Sequence, residues 1–132
     1  MKLEEIKKVA VIGSGAMGSQ IAELLSRLGR YEVTVTDTSD ELIRRGIQSI
    51  EDRIQHFFVA KGKMTAEVKE AVMERIKGNA SLEETVRDVD FVIEAVPEVL
   101  SLKREVFKKL DENAPQAAIL ASNTSMLNIT EI

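Results

Sequence analysis

Between Val9 and Leu25 the chain reads VAVIGSGAMGSQIAELL, and no other stretch restricts the fold as much. A short, β-branched apolar run stops at Gly13, Gly15 and Gly18, spaced G-x-G-x-x-G. Met17, Ile21, Leu24, Leu25 and Leu28 then follow at helical spacing, and Gly29 fits the stop. Ile6 to Ile12 reads as a strand buried on both faces. A strand that turns directly into a helix points to an α/β architecture with parallel strands.

The rest of the chain continues the alternation. Tyr31 to Thr36 is a second strand, closed by Asp37. Thr38-Ser39-Asp40-Glu41 has the pattern of a capping box, with Glu41 three residues after the candidate cap Thr38. It opens a long helix whose apolar face is Leu42, Ile47, Ile50, Ile54 and Phe57 or Phe58. Lys61-Gly62-Lys63 breaks that helix, and Thr65 caps another through Val68, Val72 and Ile76. A very short strand at Gly78-Asn79-Ala80 precedes the box Ser81-Leu82-Glu83-Glu84. Phe91 to Val96 is a further strand, cut by Pro97; Val99, Leu102, Val106 and Leu110 mark a helix ending near Pro115; Ala118 to Ala121 is the last strand. The prediction is one domain over residues 1–132: a doubly wound parallel sheet of Rossmann type, with a long helical hairpin inserted between the second and third strands.

Each glycine has a physical task if the turn holds a phosphate. Gly13 permits the tight turn, Gly15 lets backbone approach a pyrophosphate, and Gly18 lets the helix pack closely on the sheet. Free N–H groups at the helix start, with the helix dipole, then face the phosphates. Asp37 lies nineteen residues after Gly18, where an acidic side chain accepts hydrogen bonds from the adenosine ribose. Its charge would repel a 2′-phosphate and no Arg follows it directly, which favours NAD over NADP. The plainer alternative is a strand–helix turn with a surface Asp capping the next helix.

Composition narrows the class. With 18 basic and 22 acidic residues the formal charge is −4, which gives no reason to expect nucleic acid or an anionic membrane as partner. No apolar run is long enough to span a bilayer, and MKLEEIKK has no signal core. The absence of cysteine removes disulfides, thiol catalysis and cysteine-bound metals, and no metal site is expected. A cytoplasmic soluble domain follows.

Taken together, these residues resemble the N-terminal NAD-binding domain of the 3-hydroxyacyl-CoA dehydrogenase (3-hydroxybutyryl-CoA dehydrogenase) family, over essentially the whole chain. VAVIGSGAMGSQIA is similar to the family's nucleotide turn. EAVPE (Glu94 to Glu98) with KREVF (Lys103 to Phe107) is similar to its loop and helix after the fourth strand. ASNTSMLNIT (Ala121 to Thr130) is similar to its most diagnostic stretch, with Met126 in place of that stretch's second serine.

The resemblance implies an enzyme that oxidises L-3-hydroxyacyl-CoA to 3-ketoacyl-CoA with NAD, in fatty-acid β-oxidation or butanoyl metabolism. It places Gly13, Ser14, Gly15, Ala16, Met17 and Gly18 at the pyrophosphate and Asp37 at the ribose. Glu98 and Lys103 match positions near the nicotinamide ribose; the alternatives are a carboxylate favoured by a helix start and a solvated lysine. Ser125 matches the serine that hydrogen-bonds the substrate's 3-oxygen, with Asn123 beside it near the cofactor. SNTS after a strand's carboxyl end is also where open α/β sheets bind ligands, although Ser and Asn there could equally satisfy local backbone. Lys61 and Lys63 match the hairpin region that meets CoA phosphates, or else form an exposed lysine turn.

Oxidation of a secondary alcohol needs a base for the hydroxyl proton. The family takes it from a His-Phe-Phe-Asn-Pro stretch, with a glutamate, both beyond Ile132. His56-Phe57-Phe58 shares three letters with that stretch but is followed by Val59-Ala60, and His56 reads instead as a helix residue flanking a core aromatic. The 132-residue chain is therefore expected to be one domain of a larger protein, without the C-terminal helical domain, able to bind cofactor but not to turn over. Homo-oligomerisation and fusion to an enoyl-CoA hydratase are further expectations. A related NAD-dependent hydroxyacid or gulonate dehydrogenase, and a non-catalytic NAD-sensing module, remain open alternatives.

Overall fold

The computed structural model describes residues 6–95, 100–113 and 119–122. Its centre is strand β1 (Lys8–Ile12), whose residues from Val9 to Ile12 are all buried. Val11 packs with Val33 and Val35 on one face, and Ala10 and Ile12 pack with Val86, Val89 and Val92 on the other. Such two-sided burial explains why β1 reads as a continuous apolar run rather than an alternating one.

Five parallel strands pair in the order β3-β2-β1-β4-β5, with β2 at Glu32–Thr36, β3 at Ile76–Gly78, β4 at Phe91–Glu94 and β5 at Ile119–Ser122. The order reverses beside β1, so the crevice for a ligand opens beyond the carboxyl ends of β1 and β4. Helices α1 (Ala16–Arg27), α2 (Asp40–Ile54), α3 (Ala66–Glu74), α4 (Leu82–Val86) and α5 (Leu100–Asn113) complete the layers. The hairpin between β2 and β3 is present: α2 runs on into a π-helical turn, Gln55–Val59, and α3 returns after Gly62, whose φ of 71° suits only glycine comfortably.

Several expectations need correction. The short third strand is Ile76–Gly78 and not Gly78-Asn79-Ala80, so Ile76 belongs to the sheet and α3 ends before it, at Glu74. The apolar spacing of α1 suggests a buried stripe, yet Met17, Leu24 and Leu28 are 52%, 46% and 69% exposed. The inward face instead carries Gly18, Ser19, Ala22, Glu23 and Ser26. The helix lies too close to its neighbours for long side chains: a Cβ on Gly18 would collide with the Gly13 carbonyl, and Ser26 Oγ donates to the Val72 carbonyl at 2.7 Å.

In α2 the buried residues are Ile43, Gly46, Ile50 and Ile54, while Leu42 and Phe57 are exposed. His56 accordingly stands edge-on to an exposed ring, 4.7 Å from Phe57, not to a core one. The aromatic that packs is Phe58, under the Arg27 guanidinium at 4.5 Å. The cap of α2 is Ser39, whose hydroxyl accepts from the Leu42 amide at 3.2 Å; Thr38 is turned to Asp37 instead.

Candidate functional site

Gly13 leaves β1 with φ of 111°, and its amide donates to the Thr36 carbonyl at 2.8 Å, tying the turn to the end of β2. Gly15 is the N-cap of α1 at φ −68° and ψ −165°, and a Cβ added there would meet nothing within 4 Å. The two glycines act differently: Gly18 is needed for packing within the protein, and Gly15 keeps space open outside it. Helices α2, α3 and α4 each start with a capping hydroxyl (Ser39, Thr65, Ser81) and acidic first-turn residues. The start of α1 has no side-chain cap and no acidic residue in its first turn. Its amides are left for an anion.

Asp37 closes β2 beside this helix start. Its Oδ2 accepts from the Ser14 amide and the Ser14 hydroxyl, both at 2.8 Å, and its Oδ1 accepts from the Thr38 amide at 2.7 Å. Burial opposes its charge, but the hydrogen bonds from Ser14 and Thr38 outweigh that effect and hold the carboxyl below its ordinary value. The side chain is an acceptor kept ionised.

Two grooves of about 380 Å³ each adjoin Asp37. One is mostly apolar and is bordered by Ile12, Ala80, Leu82 and Val106, with Thr36 and Thr38 at its polar edge. Thr36 Oγ1 is buried without a partner there. The other runs along Ser14, Gly15, Ala16 and Ser19 to Arg45, Ser49 and Arg53 of α2. A larger cavity, about 490 Å³, is lined by Lys8, Glu32 and Asp88 at the amino ends of the strands, away from the glycine turn. Size does not decide here, because that cavity is bordered by neither the glycine turn nor Asp37.

The first groove, the open Gly15 and the charged Asp37 fit a dinucleotide: a flat apolar slot, a carboxylate for ribose hydroxyls and uncapped amides for phosphate. The sequence profile described as "3-hydroxyacyl-CoA dehydrogenase, NAD binding domain" matches residues 8–132. The chain belongs to the 3-hydroxyacyl-CoA dehydrogenase family. It is 41% identical over 128 residues to the probable 3-hydroxybutyryl-CoA dehydrogenase of Bacillus subtilis (strain 168), covering 97% of this chain and 44% of that protein. It is 43% identical over 128 residues to the glyoxysomal fatty acid beta-oxidation multifunctional protein MFP-a of Brassica napus, covering 97% of this chain but 17% of that protein. The crystal structure of (S)-3-hydroxybutyryl-CoA dehydrogenase PaaH1 from Ralstonia eutropha superposes with a TM-score of 0.89 at 32% identity, over 96% of this chain and 44% of that one. The chain thus spans less than half the length of these relatives. NAD is the cofactor that this family's domain takes.

Of the residues expected from sequence, Gly13 to Gly18 and Asp37 come together at one place. Lys61 and Lys63 are exposed at the hairpin turn and border neither groove beside Asp37. Glu98, Asn123 and Ser125 lie outside the described residues, and Lys103 is described only as backbone of α5. Gly46, where α2 meets the turn, was not among the residues expected at the site, although a lone glycine inside a helical pattern is a signal of close packing.

Proposed function

We propose that this domain binds NAD for hydride transfer between the nicotinamide and an L-3-hydroxyacyl-CoA or 3-ketoacyl-CoA, in fatty-acid β-oxidation or butanoyl metabolism. The observation that carries the cofactor half is the pairing of the uncapped α1 start with the ionised Asp37. The amides at the α1 start, from Gly15 to Gly18, would hold the pyrophosphate, and Asp37, fixed by the Ser14 amide and hydroxyl, the ribose hydroxyls. When bound, NAD supplies the hydride acceptor; the residues here bind and orient it.

The substrate half rests on family membership. Lys61 and Lys63 are assigned to CoA phosphates as point charges, Ser125 to the substrate oxygen, and Asn123, Glu98 and Lys103 to the nicotinamide side. The one histidine, His56, is exposed on the π-helical turn and is not the base. The 132-residue chain is accordingly expected to bind cofactor without turnover. Further helical sequence, an oligomer and, as in the multifunctional relatives, additional activities on one polypeptide belong to the same proposal, as does placement in the cytoplasm.

Titration of the chain with NADH and NADPH, read by nicotinamide fluorescence, tests it. Binding of NADH well above NADPH is expected. If neither binds, ADP-ribose decides, because it needs only the glycine turn and Asp37. Failure of ADP-ribose too would end the dinucleotide reading.

A further inference from the structure

Ser14 lies between Gly13 and Gly15, where the glycine spacing asks nothing of its side chain. Its hydroxyl and its own amide both reach Oδ2 of Asp37 at 2.8 Å, and the hydroxyl also lies 2.9 Å from the Leu42 carbonyl in α2. A hydroxyl has one proton to give, and the ionised carboxylate is the stronger acceptor. Ser14 is 5% exposed, so bulk water does not compete for that proton. On the other oxygen of Asp37 the Thr38 amide donates at 2.7 Å, whereas the exposed Thr38 hydroxyl stands off at 3.4 Å, beyond the usual range for such a bond.

We propose that Ser14 is a positioning residue: it locks the Asp37 carboxylate in one orientation and so enforces rejection of a phosphate on the ribose 2′-oxygen. The inference rests on the cofactor reading above and names the residue that sets its selectivity. A carboxylate free to turn could move its charge away from a 2′-phosphate. Held at Oδ2 by Ser14 and at Oδ1 by Thr38, it stays in place, and the like charge is unrelieved. A free 2′-hydroxyl meets an acceptor already aligned. Charged groups stand around Asp37 on both sides. On the α2 side, Arg45 is paired with Glu41 at 2.8 Å and Arg53 with Glu23 at 3.0 Å. On the other side, Glu83 of α4 and Glu105 and Lys109 of α5 border the apolar groove.

The test compares Ser14→Ala with Thr38→Val in the whole 132-residue chain, with thermal melting to verify folding. Ser14→Cys, which keeps the volume with a weak donor, serves if the alanine unfolds. Without any dinucleotide, carbon-detected NMR follows the Asp37 carboxyl against pH. Wild type and Thr38→Val are expected to titrate below the ordinary aspartate range, and Ser14→Ala nearer to it. With dinucleotide, Ser14→Ala is expected to narrow the NADH-to-NADPH affinity ratio by about fivefold or more, as loss of a hydrogen bond to a charged group allows. Thr38→Val, which keeps the amide that holds Oδ1 and loses only a long hydroxyl contact, should narrow the ratio less than Ser14→Ala does. A Ser14→Ala chain with wild-type carboxyl titration and an unchanged ratio overturns the inference. If the carboxyl shifts but wild type binds neither dinucleotide nor ADP-ribose, the positioning stands and the cofactor reading is what fails.

Discussion

Gly46 of α2 faces Ser14 so closely that a Cβ added to Gly46 would stand 2.5 Å from the Ser14 carbonyl oxygen and 2.9 Å from the Ser14 Cβ. These are backbone and near-backbone atoms, which do not swing aside. Through this contact α2 braces the glycine turn and brings the Leu42 carbonyl within reach of the Ser14 hydroxyl.

Gly46→Ala is therefore expected to push α2 off the turn. Overpacking of this kind costs about 1–3 kcal/mol, and the helix-propensity gain of about 1 kcal/mol offsets only part of it. Both the urea midpoint and NADH affinity should fall. An alanine variant as stable as wild type would mean that α2 moves away freely and braces nothing.

Gly15 and Gly18 should separate ligand approach from packing. Gly15 has φ of −68° and nothing within 4 Å of a Cβ, so Gly15→Ala should leave stability within about 0.5 kcal/mol of wild type. Its methyl group occupies the space a pyrophosphate needs, so NADH affinity should drop about tenfold or more, or ~1.4 kcal/mol. Gly18→Ala meets the Gly13 carbonyl and should lose stability as well as binding. Unaltered NADH affinity in Gly15→Ala would place the phosphate elsewhere.

Strands β1 and β2 were legible because each is an apolar, β-branched run ended by a residue that stops it, Gly13 and Asp37. β4 was expected to run to Val96 and stops at Glu94, and β3, only three residues with one buried, was placed too late in the chain. The hairpin was legible from Gly62 and the hydroxyl at Thr65. What periodicity missed was distance. In α1 it marked Met17, Leu24 and Leu28 as the inward face, but the close approach at Gly18, Ala22 and Ser26 turns them outward. The spacing to Glu41 pointed to Thr38 as the cap, but the Thr38 amide is bound to Asp37 and the adjacent hydroxyl, Ser39, takes the cap. The glycines and Asp37 could be read as a site because local spacing carries them. The hold of Ser14 on Asp37 depends on two chain segments and on α2, so spacing within the motif does not reveal it.

Glu23 joins α1 to the inserted hairpin. Its carboxylate accepts from Arg53 Nε at 3.0 Å and lies 3.5 Å from Arg27 Nε, and Arg27 in turn covers Phe58. Glu23→Ala would leave two guanidinium groups without their carboxylate. Breaking a fully buried pair costs about 3–5 kcal/mol; the residual exposure of Arg53 brings the expectation down to about 2–3 kcal/mol. Double-mutant cycles with Arg53→Ala should show coupling, and additive losses would argue that the pair merely coexists.

Asp90 fixes the start of β4 to β1, and it should make the chain acid-sensitive. Its Oδ2 accepts from the Lys7 and Lys8 amides at 2.9 and 3.0 Å, while its own amide donates to the Lys8 carbonyl at 2.9 Å. The Lys7 amide, then the Lys8 amide, holds the carboxyl below its ordinary value; slight burial opposes them, and the charges of Lys8 and Lys7 assist. A carboxyl depressed by folding contributes stability that is complete above its unfolded value of about 4 and is lost as pH falls through its folded value. Asp37 is depressed in the folded chain too, so it acts in the same direction. Urea unfolding across pH should then show stability falling steadily below about pH 5. Asp90→Asn, with an amide that presents one oxygen instead of a charged carboxylate, should be less stable at neutral pH and show a shallower acid limb. If the acid limb keeps its wild-type slope in Asp90→Asn, the group titrates alike in folded and unfolded chains, and its amide bonds stabilise nothing that depends on charge.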